Sequence, residues 1–180
     1  MILVVSTCKY LLSEEEFVRP VVEIVKSYGF DCDVKRYYER INPEDYSKVI
    51  ICGTALRDSD YLNYIDNFKK LIDYDGSILG ICTGYQILAK LYSNTLDEIK
   101  KIGVYNVKVV KKNPLIQNDF KAYFLHKLAL GNVNKMIEPL AMQGDEICMF
   151  KLKDKNFYGV SFYPEVLNRE IIVNFIQLHR

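Results

Sequence analysis

The sequence contains no tryptophan, only two histidines and no pair of cysteines spaced as C-x-x-C. Its five cysteines, Cys8, Cys32, Cys52, Cys82 and Cys148, are odd in number and widely spaced. That pattern fits neither a disulfide framework nor a zinc cluster, so no metal or cofactor is expected and a reducing cytoplasm is the expected compartment. An excess of one charge is missing as well. Lys and Arg number 24 against 23 Asp and Glu, a formal net charge of +1, so no nucleic-acid partner is expected. No apolar run approaches the ~18 residues that would cross a membrane. The opening MILVVSTCKY lacks the basic leader and small-residue cleavage site of a signal peptide, and it reads as a first core strand.

What is present is a chain of 180 residues that is 49% hydrophobic, enough to fill one core, and residues 1–180 are expected to form one domain. ILVVS (2–6), KVIICG (48–53) and SILGIC (77–82) are continuous apolar runs, as strands buried on both faces require. DCDVKRY (31–37) alternates and suits a further strand. Between them lie helical patterns. One has Ser13 as N-cap before an acidic turn, turns Phe17, Val21, Ile24, Val25 and Tyr28 inward, and ends at Gly29. Another, Tyr61 to Tyr74, places Tyr61, Ile65, Phe68, Leu71 and Ile72 on one face. A third is YQILAKLY. This alternation predicts a three-layer α/β fold, a mainly parallel central sheet with helices on both faces. The second half reads as strands (GVYNVKVVKK, KAYFLHKLAL, EICMFKLKD, NFYGVSFY) joined by KKNP, QGDE and KDKN, a small antiparallel extension. A last helix, Val166 to Leu178, packs back on the sheet.

One motif carries chemistry. Gly80-Ile81-Cys82-Thr83-Gly84 has the form G-x-C-x-G between a buried strand and a helix, the cysteine version of a nucleophile elbow. Glycines at both ends allow the sharp turn that exposes the cysteine. The following helix aims its N–H groups and positive dipole end at the sulfur, which lowers a thiol pKa from ~8.5 and stabilises an oxyanion. The other four cysteines read as buried and inert.

GICTGYQ resembles the G-x-C-x-G-x-Q signature of class I glutamine amidotransferase domains, and YGVSFYPE (158–165) resembles their G-V-Q-F-H-P-E. The resemblance covers essentially the whole chain. It implies a flavodoxin-like three-layer fold, a Cys-His-Glu triad that releases ammonia from glutamine or a related small amide, and a synthetase-type protein partner. Cys82 matches the nucleophile and Glu165 the acid. Gly53 and Thr54 fall on the oxyanion loop, and Thr83 and Gln86 fall beside the substrate.

The pattern breaks at Tyr163, which stands where the family has its histidine. A phenol of pKa ~10 is neutral at pH 7 and is a poor base, where an imidazole near ~6.5 exchanges the proton readily. Losing one triad member costs on the order of 10⁴ to 10⁶ in turnover. Thr54 also replaces a glycine of the oxyanion loop. His179 reads as a solvated helix end. His126 has two readings, an exposed strand histidine or a substitute base for Cys82. Three functions therefore compete: an amidotransferase-like binding or regulatory domain that has lost its glutaminase, an active Cys82 amidase or hydrolase using His126, and a purely structural descendant.

Overall fold

A computed structural model of the chain describes residues 1–179. Nine strands form one sheet: β1 (Ile2–Ser6), β2 (Cys32–Arg36), β3 (Lys48–Ile51), β4 (Ser77–Ile81), β5 (Leu96–Val109), β6 (Phe120–Leu130), β7 (Ile137–Gln143), β8 (Glu146–Leu152) and β9 (Asn156–Val160). Their order is β2-β1-β3-β4-β9-β8-β7-β5-β6. The first five run parallel, and β9-β8-β7-β5-β6 pair antiparallel. The antiparallel part thus holds as many strand pairings as the parallel part and is larger than the small extension expected.

Alternate residues of β1, β3 and β4 serve two cores, which is why these three strands read as unbroken apolar runs. Ile2 and Val4 of β1 face one core with Ile50 and Leu79, where α2 (Arg19–Ser27) contributes Val21, Ile24 and Val25 and α5 (Arg169–Gln177) contributes Ile171, Ile172 and Phe175. Leu3 and Val5 face the other core with Val49 and Ile78, packed by α3 (Thr83–Leu91) and by a 3-10 segment over Asp60–Leu71. No helix among the described residues is long and apolar enough to cross a membrane.

Several local expectations are corrected. The first helix is two: α1 (Leu11–Phe17) ends at Val18, and α2 carries Pro20 in its first turn, where a proline tolerates a helix start but not a helix interior. Ser13 lies within α1 and makes no cap, and Tyr10 precedes the helix instead. Tyr28 is half exposed, and Gly29 turns the chain at φ +80°. The 61–74 pattern winds as 3-10 helix with a kink at Tyr64, burying Tyr61, Phe68 and Leu71. The last helix breaks at Asn168, leaving a short α4 (Pro164–Leu167) before α5.

Candidate active site

The parallel strands bring their carboxyl ends together, and Cys82 sits there between β4 and α3. Its φ is +49° with ψ −95°, a strained backbone for any residue with a Cβ, as an elbow requires. The flanking glycines are sterically enforced. A Cβ on Gly80 would come 2.5 Å from the Gly84 carbonyl carbon, and one on Gly84 would strike the Ile51 backbone. The Cys82 N–H donates to Val160 O at 2.7 Å, tying the elbow to β9.

The thiol is buried, and burial pushes its pKa up to about 12; the neighbouring Tyr163 hydroxyl and the Thr83 backbone N–H act the other way without restoring it, while the charges of Glu165 and Glu146 raise it further. The lowering expected from the helix terminus is therefore overridden, because desolvating a thiolate costs more than one helix end returns. The thiol donates to Leu125 O at 3.6 Å.

Tyr163 is fully buried. Its ring lies against Gly53, where an added Cβ would meet Cε1 at 2.5 Å and the hydroxyl oxygen at 2.8 Å. The hydroxyl donates to Thr54 O at 2.8 Å. A phenol has one proton to give, so that proton is committed to the oxyanion loop. Asp58 locks this loop by accepting from Thr54 Oγ1 at 2.7 Å and from the Lys9 N–H at 3.0 Å.

Glu165 does not reach the phenol. Both carboxyl oxygens are buried without a hydrogen-bond partner, and burial lifts the pKa to about 8. His126 is buried rather than exposed. Its Nδ1 lies 2.9 Å from Ile99 O and its Nε2 lies 3.0 Å from Glu146 Oε1. The Nε2 approach is close but not a well-directed hydrogen bond. Both ring nitrogens face these acceptors rather than Cys82. Glu146 also holds Lys101 at 3.5 Å and accepts from Ser161 Oγ at 2.9 Å. Burial alone would raise this carboxyl, but His126, Lys101 and Ser161 outweigh it and hold Glu146 below its ordinary range.

The remaining expected residues are also engaged internally. Gln86 accepts from Tyr61 and donates to Leu128 O at 3.1 Å. The Thr83 hydroxyl lies 3.0 Å from Cys52 O and 2.6 Å from Thr7 Oγ1. Thr54, Asp58, Tyr61, Cys82, Gln86 and Leu125 are among the residues around a recess of about 20 Å³, and a single water needs ~10–15 Å³.

The glutamine amidotransferase class-I family model matches residues 13–177. The chain belongs to the class-I glutamine amidotransferases. A component of the glutamine-hydrolyzing GMP synthase of Methanosphaera stadtmanae, named as one of its subunits, is 31% identical over 148 residues, covering 76% of this chain and 75% of that one. The glutamine-hydrolyzing GMP synthase of Campylobacter jejuni strain RM1221 is 31% identical over 115 residues, 61% of this chain but 22% of that longer protein. In fold, a Thermotoga maritima glutamine amidotransferase superposes with TM-score 0.70 at 18% identity, covering 91% of this chain and 76% of that one. A Thermoplasma acidophilum protein described as one subunit of a GMP synthase gives TM-score 0.82 at 18% identity over 98% and 92%.

For an amidotransferase the site is closed by its own residues. The sequence pointed to the elbow and to position 163. It did not single out Asp58, Tyr61, Lys101 or Glu146. Thr54 and Asp58 are spaced as a polar pair within one turn, the one signal that marks the loop lock. Nothing in the spacing of Glu146 and His126 marks their pairing, which the antiparallel strands create.

Proposed function

We propose that this chain is an amidotransferase component that does not hydrolyse glutamine by the Cys-His-Glu route of its family and serves as a binding or regulatory domain beside a synthetase-type protein in the cytoplasm. The observation that carries this reading is the Tyr163 hydroxyl bonded to Thr54 O. Hydrolysis needs a base to take the Cys82 proton, a donor for the oxyanion and an acid for the departing ammonia. Tyr163 is a poor base, since burial raises its pKa well above the ordinary value. Its one proton is also given to the Thr54 carbonyl rather than to the site.

The family relation supports a partner. Its relative in Methanosphaera stadtmanae is named as one subunit of a glutamine-hydrolyzing GMP synthase. A small amide such as glutamine remains the ligand class for Cys82, Thr83, Gln86, Gly53 and Thr54, but the Thr54 and Thr83 hydroxyls and the Gln86 amide are bonded internally and the recess is water-sized. The alternative of an active hydrolase using His126 is disfavoured by the engagement of both ring nitrogens.

The test is ammonia release from glutamine by the purified chain, alone and with Cys82→Ala as control. The expected rate is at background for both. Robust turnover abolished by Cys82→Ala overturns the reading.

A further inference from the structure

Among the described residues β6 ends the sheet, and one of its edges has no strand beside it. Such an edge presents unpaired backbone groups that must find other partners. Here they find the site. Lys121 O accepts from Asn168 Nδ2 at 2.9 Å, Tyr123 O from the Tyr163 N–H at 2.9 Å, Leu125 O from the Cys82 thiol at 3.6 Å, and Leu128 O from the Gln86 amide at 3.1 Å. The occupant of the space beside Cys82 is thus the chain's own strand edge.

Among the described residues, strand pairing ties the β5–β6 pair to the rest of the sheet at one end, where β5 pairs with β7 at Lys108↔Met142 and Val109↔Ala141. At the other end the Leu130 N–H donates to the Tyr85 hydroxyl of α3 at 3.2 Å. Between these points the two strands pair with each other, with a register shift between Glu98 and Lys101 and with Gly103 at φ +122°. Besides the bonds along the β6 edge and the buried Ala122 and Phe124, a side-chain cluster holds the middle down. His126 of β6 and Lys101 of β5 both meet Glu146 of β8, and Lys101 also donates to Gln143 of β7. Phe124 adds apolar contact with Phe162 at 5.7 Å between centroids.

We propose that the β5–β6 span is a strap that shuts the Cys82 recess, with the Glu146 cluster as its clasp, and that lifting the strap is the step that gives a ligand access to the thiol and the Gln86 amide. A thiol is a weak hydrogen-bond donor, so the contact at Cys82 adds little to the strap's hold, whereas Glu146 meets both strands of the strap through Lys101 and His126. The inference concerns access and stands whether or not glutamine is hydrolysed.

Glu146→Gln keeps the shape of the clasp and removes its charge. Two readouts are taken at one pH: hydrogen exchange of the Tyr163 amide, which donates to the strap, and peptide-resolved labelling of each cysteine by a small neutral alkylator. The strap predicts that Tyr163 protection falls and Cys82 labelling rises about tenfold or more while Cys52, in the parallel core, stays unlabelled. Cys52 rising with Cys82 means general unfolding and overturns the proposal. So do faster labelling with Tyr163 protection intact, which is an electrostatic effect on the thiol alone, exposure of the Tyr163 amide without labelling, and no change in either. If Glu146→Gln does not fold, Lys101→Met, which spares the His126–Glu146 pair, is judged by the same outcomes.

Discussion

Tyr163 is buried at the candidate site, and two residues on Glu165 is buried there as well. Glu165 would orient an imidazole at position 163; with tyrosine there, its carboxyl is buried and unpartnered. A carboxyl whose pKa rises from 4.5 to about 8 on folding favours the folded state fully below the unfolded value. That contribution is lost as pH rises through the folded value, because the unfolded chain then ionises more readily. Stability should therefore fall between about pH 4.5 and 8 on this account, by a few kcal/mol in all at ~1.4 kcal/mol per unit. Glu165→Gln, neutral at every pH, should be more stable than the parent at pH 8 and should lose this part of the slope in urea unfolding measured from pH 5 to 9. An unchanged slope would mean that Glu165 is solvated. Tyr163→Phe removes one hydrogen bond and leaves the Thr54 carbonyl unpaired, which should cost about 1–3 kcal/mol in the same assay. Ammonia release should stay at background.

At the scale of elements, what the sequence shows is what packing makes simple. β1, β3 and β4 are apolar throughout because alternate residues feed two cores, and the elbow is legible because two glycines bracket a cysteine. The backbone packing gives that signature a measurable cost. Gly84→Ala would drive a Cβ into the Ile51 backbone, a contact that neither element can yield without moving the strand. We expect a loss of about 2–4 kcal/mol by denaturant unfolding, within the range of steric insertions into packed cores or somewhat above it, whereas Gly144→Ala, with open space around it but φ +57°, should cost only about 1 kcal/mol. Equal costs would contradict the elbow geometry. Other elements were illegible for identifiable reasons. β7 carries Pro139 beside register shifts in its pairing with β8, and a proline within a run argues against a strand. The first half of β5 is charged and largely exposed, so no alternation marks it. The helical period of 61–74 was present, but the chain winds it as 3-10 helix, which preserves the buried face over Tyr61, Phe68 and Leu71.

For the molecule as a whole, the parallel half supplies the elbow and the antiparallel half covers it. The candidate site was legible where it depends on the backbone of the parallel half: Cys82, Gly53 and Tyr163 are brought together at the strand ends. It was illegible where it depends on long-range pairing, since His126 meets Glu146 only because β6 folds over β8. On the proposed reading, tyrosine at 163, and not the fold, disables the chemistry. The direct measurement is ammonia release from glutamine by Tyr163→His, combined with Thr54→Gly to free the oxyanion loop, against the parent and against the same variant carrying Cys82→Ala. The account predicts background release by the parent, a gain of at least ~10²-fold in the double variant as a general base returns, and loss of that gain with Cys82→Ala. Strong release by the parent, or a folded double variant that stays at background, would contradict it.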